Sequence, residues 1–238
     1  MSHYLILFLF SIPLVMYTDH YIKHFMTNLK REVFDNFQEV FPLYTPNINA
    51  QQKLDCSRFQ SKEFCSIYWL FLLFIGALES FYYYFHSLEI AIWFGLFFTC
   101  TVIIFIIDYS YQLIPINFCQ LLFSCILIGD YFNFLPFTIE QSLFNGGLGF
   151  LCFYCLYYFS KWFYKKEAIG RGDYWLVLAL TMIVPPFQLS LFVFIACLLA
   201  LFYVFFLRWQ GNYNYYISFG PFLILSAYLF LFYYLLGY

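Results

Sequence analysis

From residue 174 to residue 207 the chain runs without one charged side chain, broken only by Pro185-Pro186. Further apolar runs cover residues 4–17, 67–85, 88–107, 113–130, 137–160 and 216–237. A helix crossing a bilayer needs about 20 mostly apolar residues, and most of these runs have that length. None alternates with period two, as barrel strands would, so the crossings are helices, whose backbone groups are satisfied within each segment. Composition agrees: 64% of residues are hydrophobic and 10% charged, against about 25% charged in soluble domains. The expected fold is an all-α, polytopic membrane bundle.

Two prolines in succession break a helix. The long run therefore divides into a short span over 174–184, a turn near 185–188 and a full span to 207, which brings the total to eight crossings. Charge supports the count. With the N-terminus outside, residues 18–66, 108–112, 161–173 and 208–215 lie inside and hold all eleven Lys and Arg, while the outer connections hold Glu89, Asp130 and Glu140 and no positive residue. That is a complete positive-inside bias. The expected organisation is a first span over 1–17, a cytoplasmic loop domain over 18–66, partly helical before Pro42, and a membrane-embedded domain over 67–238. No positive residue precedes the first run and no small-residue cleavage site follows it, which favours a retained span over a removed signal peptide.

This topology carries Asp108, at the end of the third span, and Asp173, at the start of the sixth, to the same cytoplasmic rim. Ionisable groups there are costly and usually functional. A carboxylate pair is the basis of aspartic proteolysis: the ionised acid takes a proton from water and the protonated one hydrogen-bonds the scissile carbonyl. Helix ends suggest an assignment. Asp173, at an N-terminus, is favoured as the ionised base and Asp108, at a C-terminus, as the acid. Gly170 and Gly172 are expected to allow positive φ and close approach of an extended substrate. The plainer alternative is that each aspartate only caps a helix.

Three separated stretches resemble the type IV prepilin peptidases, membrane aspartic proteases of the GxGD kind. They are Asp108-Tyr-Ser-Tyr-Gln-Leu-Ile114-Pro115, Glu167-Ala-Ile-Gly170-Arg-Gly172-Asp173 and Phe219-Gly220-Pro221-Phe222-Leu223. Weaker echoes are Tyr68, Gly76 and Ser142-Leu143 near Gly146, and the resemblance covers about residues 66–238. It implies Asp108 and Asp173 as the catalytic pair, with Glu167, Gly170, Gly172 and Pro115 supporting. It also implies a multi-pass protein of the bacterial inner membrane with a cytoplasm-facing site. The implied reaction removes basic leaders from type IV prepilins or type II secretion pseudopilins. The chain departs from the family at Leu72, Ile116 and Trp175, where the pattern has Glu, Asp and Lys. Its first loop offers Cys56 and Cys65 instead of two CxxC pairs. Four thiolates make a closed zinc site, so no metal is expected. These departures weigh against N-methylation of the mature N-terminus, and S-adenosylmethionine would be a cofactor only if that activity were retained.

Glu79 lies deep in the second span and reads either as a structural partner, satisfied by Ser80 or a neighbouring helix, or as a contact for the leader. Gly146, Gly147 and Gly149 read as close helix packing. Six of the eight cysteines, Cys152-x-x-Cys155 among them, fall in apolar runs, where Cys behaves as a small hydrophobe. The four histidines have no HExxH spacing and no GxSxG occurs, which argues against zinc and serine hydrolases. Basic residues balanced by acids and confined to membrane-adjacent loops give no nucleic-acid signal. The rival readings are a transporter, which should show repeats and midplane polar residues, and a catalytically dead relative.

Overall fold

The computed structural model describes residues 2–40, 67–165, 170–211 and 217–237. The loop expected beyond Pro42, with Cys56 and Cys65, lies outside them, as does Glu167. All the regular structure among the described residues is helical. Five helices are long and apolar enough to cross a membrane, and the chain is a polytopic helical membrane protein. It divides into two compact units, Met1–Tyr84 and Phe85–Tyr238.

The first unit pairs α1 (Ser2–Val40) with α2 (Ile67–Phe85). They run antiparallel, with Tyr4 against Tyr82 and Phe8 against Phe71 at ring separations of 5.2 and 5.6 Å. At 1.5 Å per residue α1 is about 58 Å long, nearly twice a bilayer's hydrocarbon core. It therefore passes unbroken through the boundary expected at residue 17. Beyond the apolar stretch no Pro or Gly interrupts residues 18–40, and Asp19 and Lys23 form an i,i+4 ion pair at 2.7 Å.

The second unit contains α3 (Leu88–Tyr111), α4 (Ile116–Tyr131), α5 (Ile139–Tyr164), α6 (Arg171–Thr181), a 3-10 turn over Pro186–Gln188, α7 (Leu189–Trp209) and α8 (Gly220–Gly237). Local chemistry sets the ends. The Ser87 hydroxyl accepts the Ile90 N–H at the start of α3, and Gln112, left-handed at φ 55°, closes it by donating to the Asp108 carbonyl. Pro115 is the N-cap of α4. Thr138 and Gln141 form a capping box at the start of α5. The four-residue link between α3 and α4 makes them antiparallel, and Trp93 early in α3 donates to the Cys125 carbonyl late in α4 at 2.8 Å.

At the centre stands α6, packed against α4, α5 and α8. Leu176, Val177, Ala179, Leu180, Thr181 and the turn residues Met182, Ile183 and Val184 are almost completely buried. Its 11 residues rise only about 16 Å, so it cannot span a bilayer alone. Burial among other helices permits this: the chain after Thr181 satisfies its own backbone through turns, with Met182 donating to Ala179 and Val184 to Thr181. The span expected over 174–184 is thus a shorter helix with a turned tail. Gly146 and Gly149 of α5 make close approach possible, since a Cβ on the first would strike the Leu178 carbonyl and Met182, and on the second the Thr181 side chain. Gly147 has no such neighbour within 4 Å, so close packing explains two of the three glycines. On the far side α7 buries little beyond Phe192 and Ala196, leaving an apolar surface suited to lipid.

Candidate active site

Asp108 lies inside the last turn of α3, directly after the apolar run and one turn before the Gln112 stop. A packed helix, not a loop, therefore holds it. It is 3% exposed, and its Oδ2 has no well-formed hydrogen bond to any protein group. Gly220, the first residue of α8, packs directly on that oxygen: a Cβ there would overlap Asp108 Oδ2 and would also stand 3.3 Å from the Leu176 side chain of α6. The Gly220 N–H approaches the same carboxylate. Asp108 thus sits at the C-terminal turn of its own helix and at the N-terminus of α8, where a dipole favours negative charge.

Asp173 is the third residue of α6. Its Oδ2 accepts the Gly170 N–H at 3.0 Å, so the carboxylate folds back to cap its own helix. Gly170 is extended, at φ −67° and ψ 147°, and a Cβ on it would stand 3.2 Å from the same oxygen. Gly172 is needed for a different contact, because a Cβ there would come within 2.5 Å of the Ile114 Cβ. Neither glycine adopts the positive φ expected of it. Each instead allows a close approach: Gly170 to the carboxylate, and Gly172 to the link that leads through Pro115 into α4.

The charge of Asp173 bears on Asp108, and both acids bear on Cys119, one turn into α4 and 2% exposed. All three signature stretches therefore converge. The Ile114-Pro115 link bears on Gly172, the Gly172-Asp173 turn presents its acid toward Asp108, and Gly220 seats the Asp108 carboxylate. The dipole asymmetry expected between the two acids is reduced, because Asp108 stands at the N-terminus of α8 as well as at the C-terminal turn of its own helix. Asp173 caps its helix as the plainer reading anticipated, but one oxygen suffices for that bond.

An aromatic cluster flanks Asp173. Tyr174 packs edge-on against Phe150, Tyr154 and Tyr157 of α5 at 5.5, 5.9 and 6.0 Å, and Trp175 tilts against Phe150 at 5.6 Å. Glu79 belongs to the other unit, half-buried on α2, and its expected partner Ser80 gives its hydroxyl to the Gly76 carbonyl at 2.6 Å. Sequence reasoning did not single out Gly220 and Cys119 as site residues. The FGPFL stretch signalled the first, whereas a thiol in an apolar run signals nothing until α4 is packed.

The family model described as the type IV leader peptidase family matches residues 95–205. A prepilin leader peptidase/N-methyltransferase of Haemophilus influenzae is 28% identical over 211 residues, covering 87% of each chain. No solved structure matches significantly. The matched segment includes both aspartates and the glycine turn, and the three motifs come together as one site: in sequence and in site residues the chain is similar to the type IV leader peptidase family.

Proposed function

We propose that Asp108 and Asp173 are the catalytic pair with which this membrane peptidase removes leaders from prepilin-like precursors, pseudopilins included. The observation that carries the reading is the convergence of the Ile114-Pro115 link, the Gly170-to-Asp173 turn and Gly220 around one buried carboxylate facing a second. Two like charges at close range do not both ionise, so the pair shares a proton and titrates as a unit.

Hydrolysis then needs nothing beyond the pair and water. The ionised carboxylate takes a proton as water attacks the scissile carbonyl carbon, and the protonated carboxyl donates to the carbonyl oxygen. As the tetrahedral intermediate collapses and the C–N bond breaks, the proton passes to the leaving amine and the shared-proton state returns. Gly220 and Gly170 hold the two acids in place. The N-terminus of α8 offsets the C-terminal turn of α3 at Asp108, so the dipoles favour Asp173 as the base only weakly.

The Lys and Arg distribution supports a cytoplasm-facing site in the bacterial inner membrane. Lys161, Lys165 and Arg208 stand at the ends of α5 and α7 on the dyad's side. The reading includes no N-methylation, metal or S-adenosylmethionine, because the first loop lacks the four thiolates associated with the second activity.

The decisive experiment co-expresses the full chain with a prepilin and follows the precursor's size. Cleavage is expected with the native chain and lost in Asp108→Asn and Asp173→Asn; normal processing by either variant would overturn the dyad. A methylated mature N-terminus in mass spectra would overturn the single-activity reading. An alkaline phosphatase fusion at residue 134 should be active and one at residue 210 inactive, and the reverse would invert the topology.

A further inference from the structure

A second buried polar group lies at the rim opposite the dyad. Asp130 occupies the last turn of α4, the helix that begins beside the active site. It is 3% exposed, and neither carboxylate oxygen has a hydrogen-bond partner. Against it stand two residues one turn apart on the inward face of α5. These are Ser142, 0% exposed, whose hydroxyl faces the Asp130 carboxylate, and Asn145, 1% exposed. The Ser142 Oγ and both polar atoms of the Asn145 amide are also without partners. The Ser142 hydroxyl thus reaches toward the Asp130 carboxylate, and five buried polar atoms of the three residues lack a well-formed hydrogen bond.

A charged carboxylate removed from water needs a counter-charge or several donors. The nearest backbone donors are committed. The Gln141 N–H is taken by Thr138 Oγ1, and the N–H groups of Phe132, Asn133 and Phe134 go to the carbonyls of Ile128, Asp130 and Gly129. The remaining groups are the Asn145 amide nitrogen and four hard oxygens: two carboxylate oxygens, a hydroxyl and an amide carbonyl. Such donors suit hard cations. With a single carboxylate the set balances one positive charge and falls short of the ligand count and charge that Ca²⁺ or Mg²⁺ takes from protein. The C-terminal end of α4 adds a favourable dipole.

We propose that Asp130, Ser142 and Asn145 form a binding site for a small monovalent cation of the Na⁺ type, tying the end of α4 to the start of α5. The site lies one full helix length from Asp108 and does not depend on the peptidase reading. The cation is a structural ligand, joining two helices that also flank α6, and takes no part in hydrolysis.

The test is thermal unfolding of the purified full chain in detergent, in NaCl, KCl and choline chloride at equal ionic strength. The midpoint is expected to rise saturably with Na⁺ and to stay flat in choline. Asp130→Asn, which keeps the volume and removes the charge, should abolish the rise. Asn145→Ala and Ser142→Ala should move half-saturation to Na⁺ concentrations at least about tenfold higher, the usual loss for a weakened metal site. Asp108→Asn should leave the Na⁺ response intact, separating this site from the dyad. Equal midpoints in Na⁺ and choline for the native chain would overturn the proposal and assign the cluster to water or to a protonated acid. If Asp130→Asn does not fold, Asn145→Ala decides, and an unchanged half-saturation there overturns it equally.

Discussion

Asp108 and Asp130 look alike by every local measure. Each lies in the last turn of a helix, each is 3% exposed, and each carries carboxylate oxygen without a protein hydrogen bond. They differ in company. Asp108 faces a second acid and the glycine-started N-terminus of α8, whereas Asp130 faces the neutral Ser142 hydroxyl. A like-charged neighbour forces a pair to share a proton and makes it a proton-transfer device. Neutral oxygen donors leave a lone charge that asks for a counter-ion. Burial raises the stakes at both rims, and the neighbour decides the chemistry.

The largest expected effect breaks that symmetry directly. Asp108→Asn should lower the cleavage rate at least about a thousandfold, the scale for removing one member of a concerted catalytic set. Asp130→Asn in saturating Na⁺ should leave turnover within a few-fold. Precursor conversion on a time course measures both, and comparable losses would end the distinction. The native pH profile should also be bell-shaped. Activity needs one carboxyl ionised and its partner protonated, so it falls at low pH when both hold protons and at high pH when neither does. A plateau extending to high pH would exclude a required acid in the pair.

Next in size is the seat of the Asp108 carboxylate. Gly220→Ala drives a methyl group into Oδ2, and a displacement of about 1 Å costs on the order of a hundredfold in rate. Stability should fall by only about 1–3 kcal/mol, the usual cost of overpacking. A loss confined to KM would contradict the seat, because the carboxylate acts on the chemical step. Gly147→Ala is the matched control toward the opposite rim, since it meets nothing within 4 Å. It should leave activity unchanged and raise stability by about 0.5–1 kcal/mol, as glycine in a helix is less favourable than alanine.

Gly172→Ala should cost about 1–3 kcal/mol through its collision with Ile114. Pairing it with Ile114→Ala should recover part of the loss, with a coupling of about 0.5–3 kcal/mol in a double-mutant cycle. Additive losses would show that the Ile114-Pro115 link and the glycine turn are independent, against their contact.

Much of this was written in the sequence, for identifiable reasons. Helix positions follow from the apolar runs because hydrocarbon length is a hard constraint. Helix ends follow less well: Asp108 falls inside α3, since the stop is the left-handed Gln112 rather than the first polar residue. The α1 helix outlasts its apolar stretch because nothing in its polar half breaks a helix. The two catalytic candidates were legible from topology and motif together, but the dipole argument for their roles was incomplete. It counted the helix Asp108 belongs to and missed α8, which tertiary packing delivers from far along the chain. The glycines were legible as necessary but misread as conformational, when two are steric clearances. Asp130 reads in the sequence as part of an outer connection; only the packing of α4 on α5 buries it.

The smallest expected effect probes the Asp130 rim most finely. Ser142→Ala removes a fully buried hydroxyl without a partner. In choline that change should be neutral or stabilising by up to about 1 kcal/mol, because an unpaired buried hydroxyl is a net cost and a methyl group is not. In Na⁺ the same substitution removes an oxygen ligand, and the sign should reverse. The measurement is one variant's unfolding midpoint against the native chain's in the two salts. A sign that stays the same in both would show that the hydroxyl does not meet a cation. Asp130 would then differ from Asp108 only in lacking a partner acid.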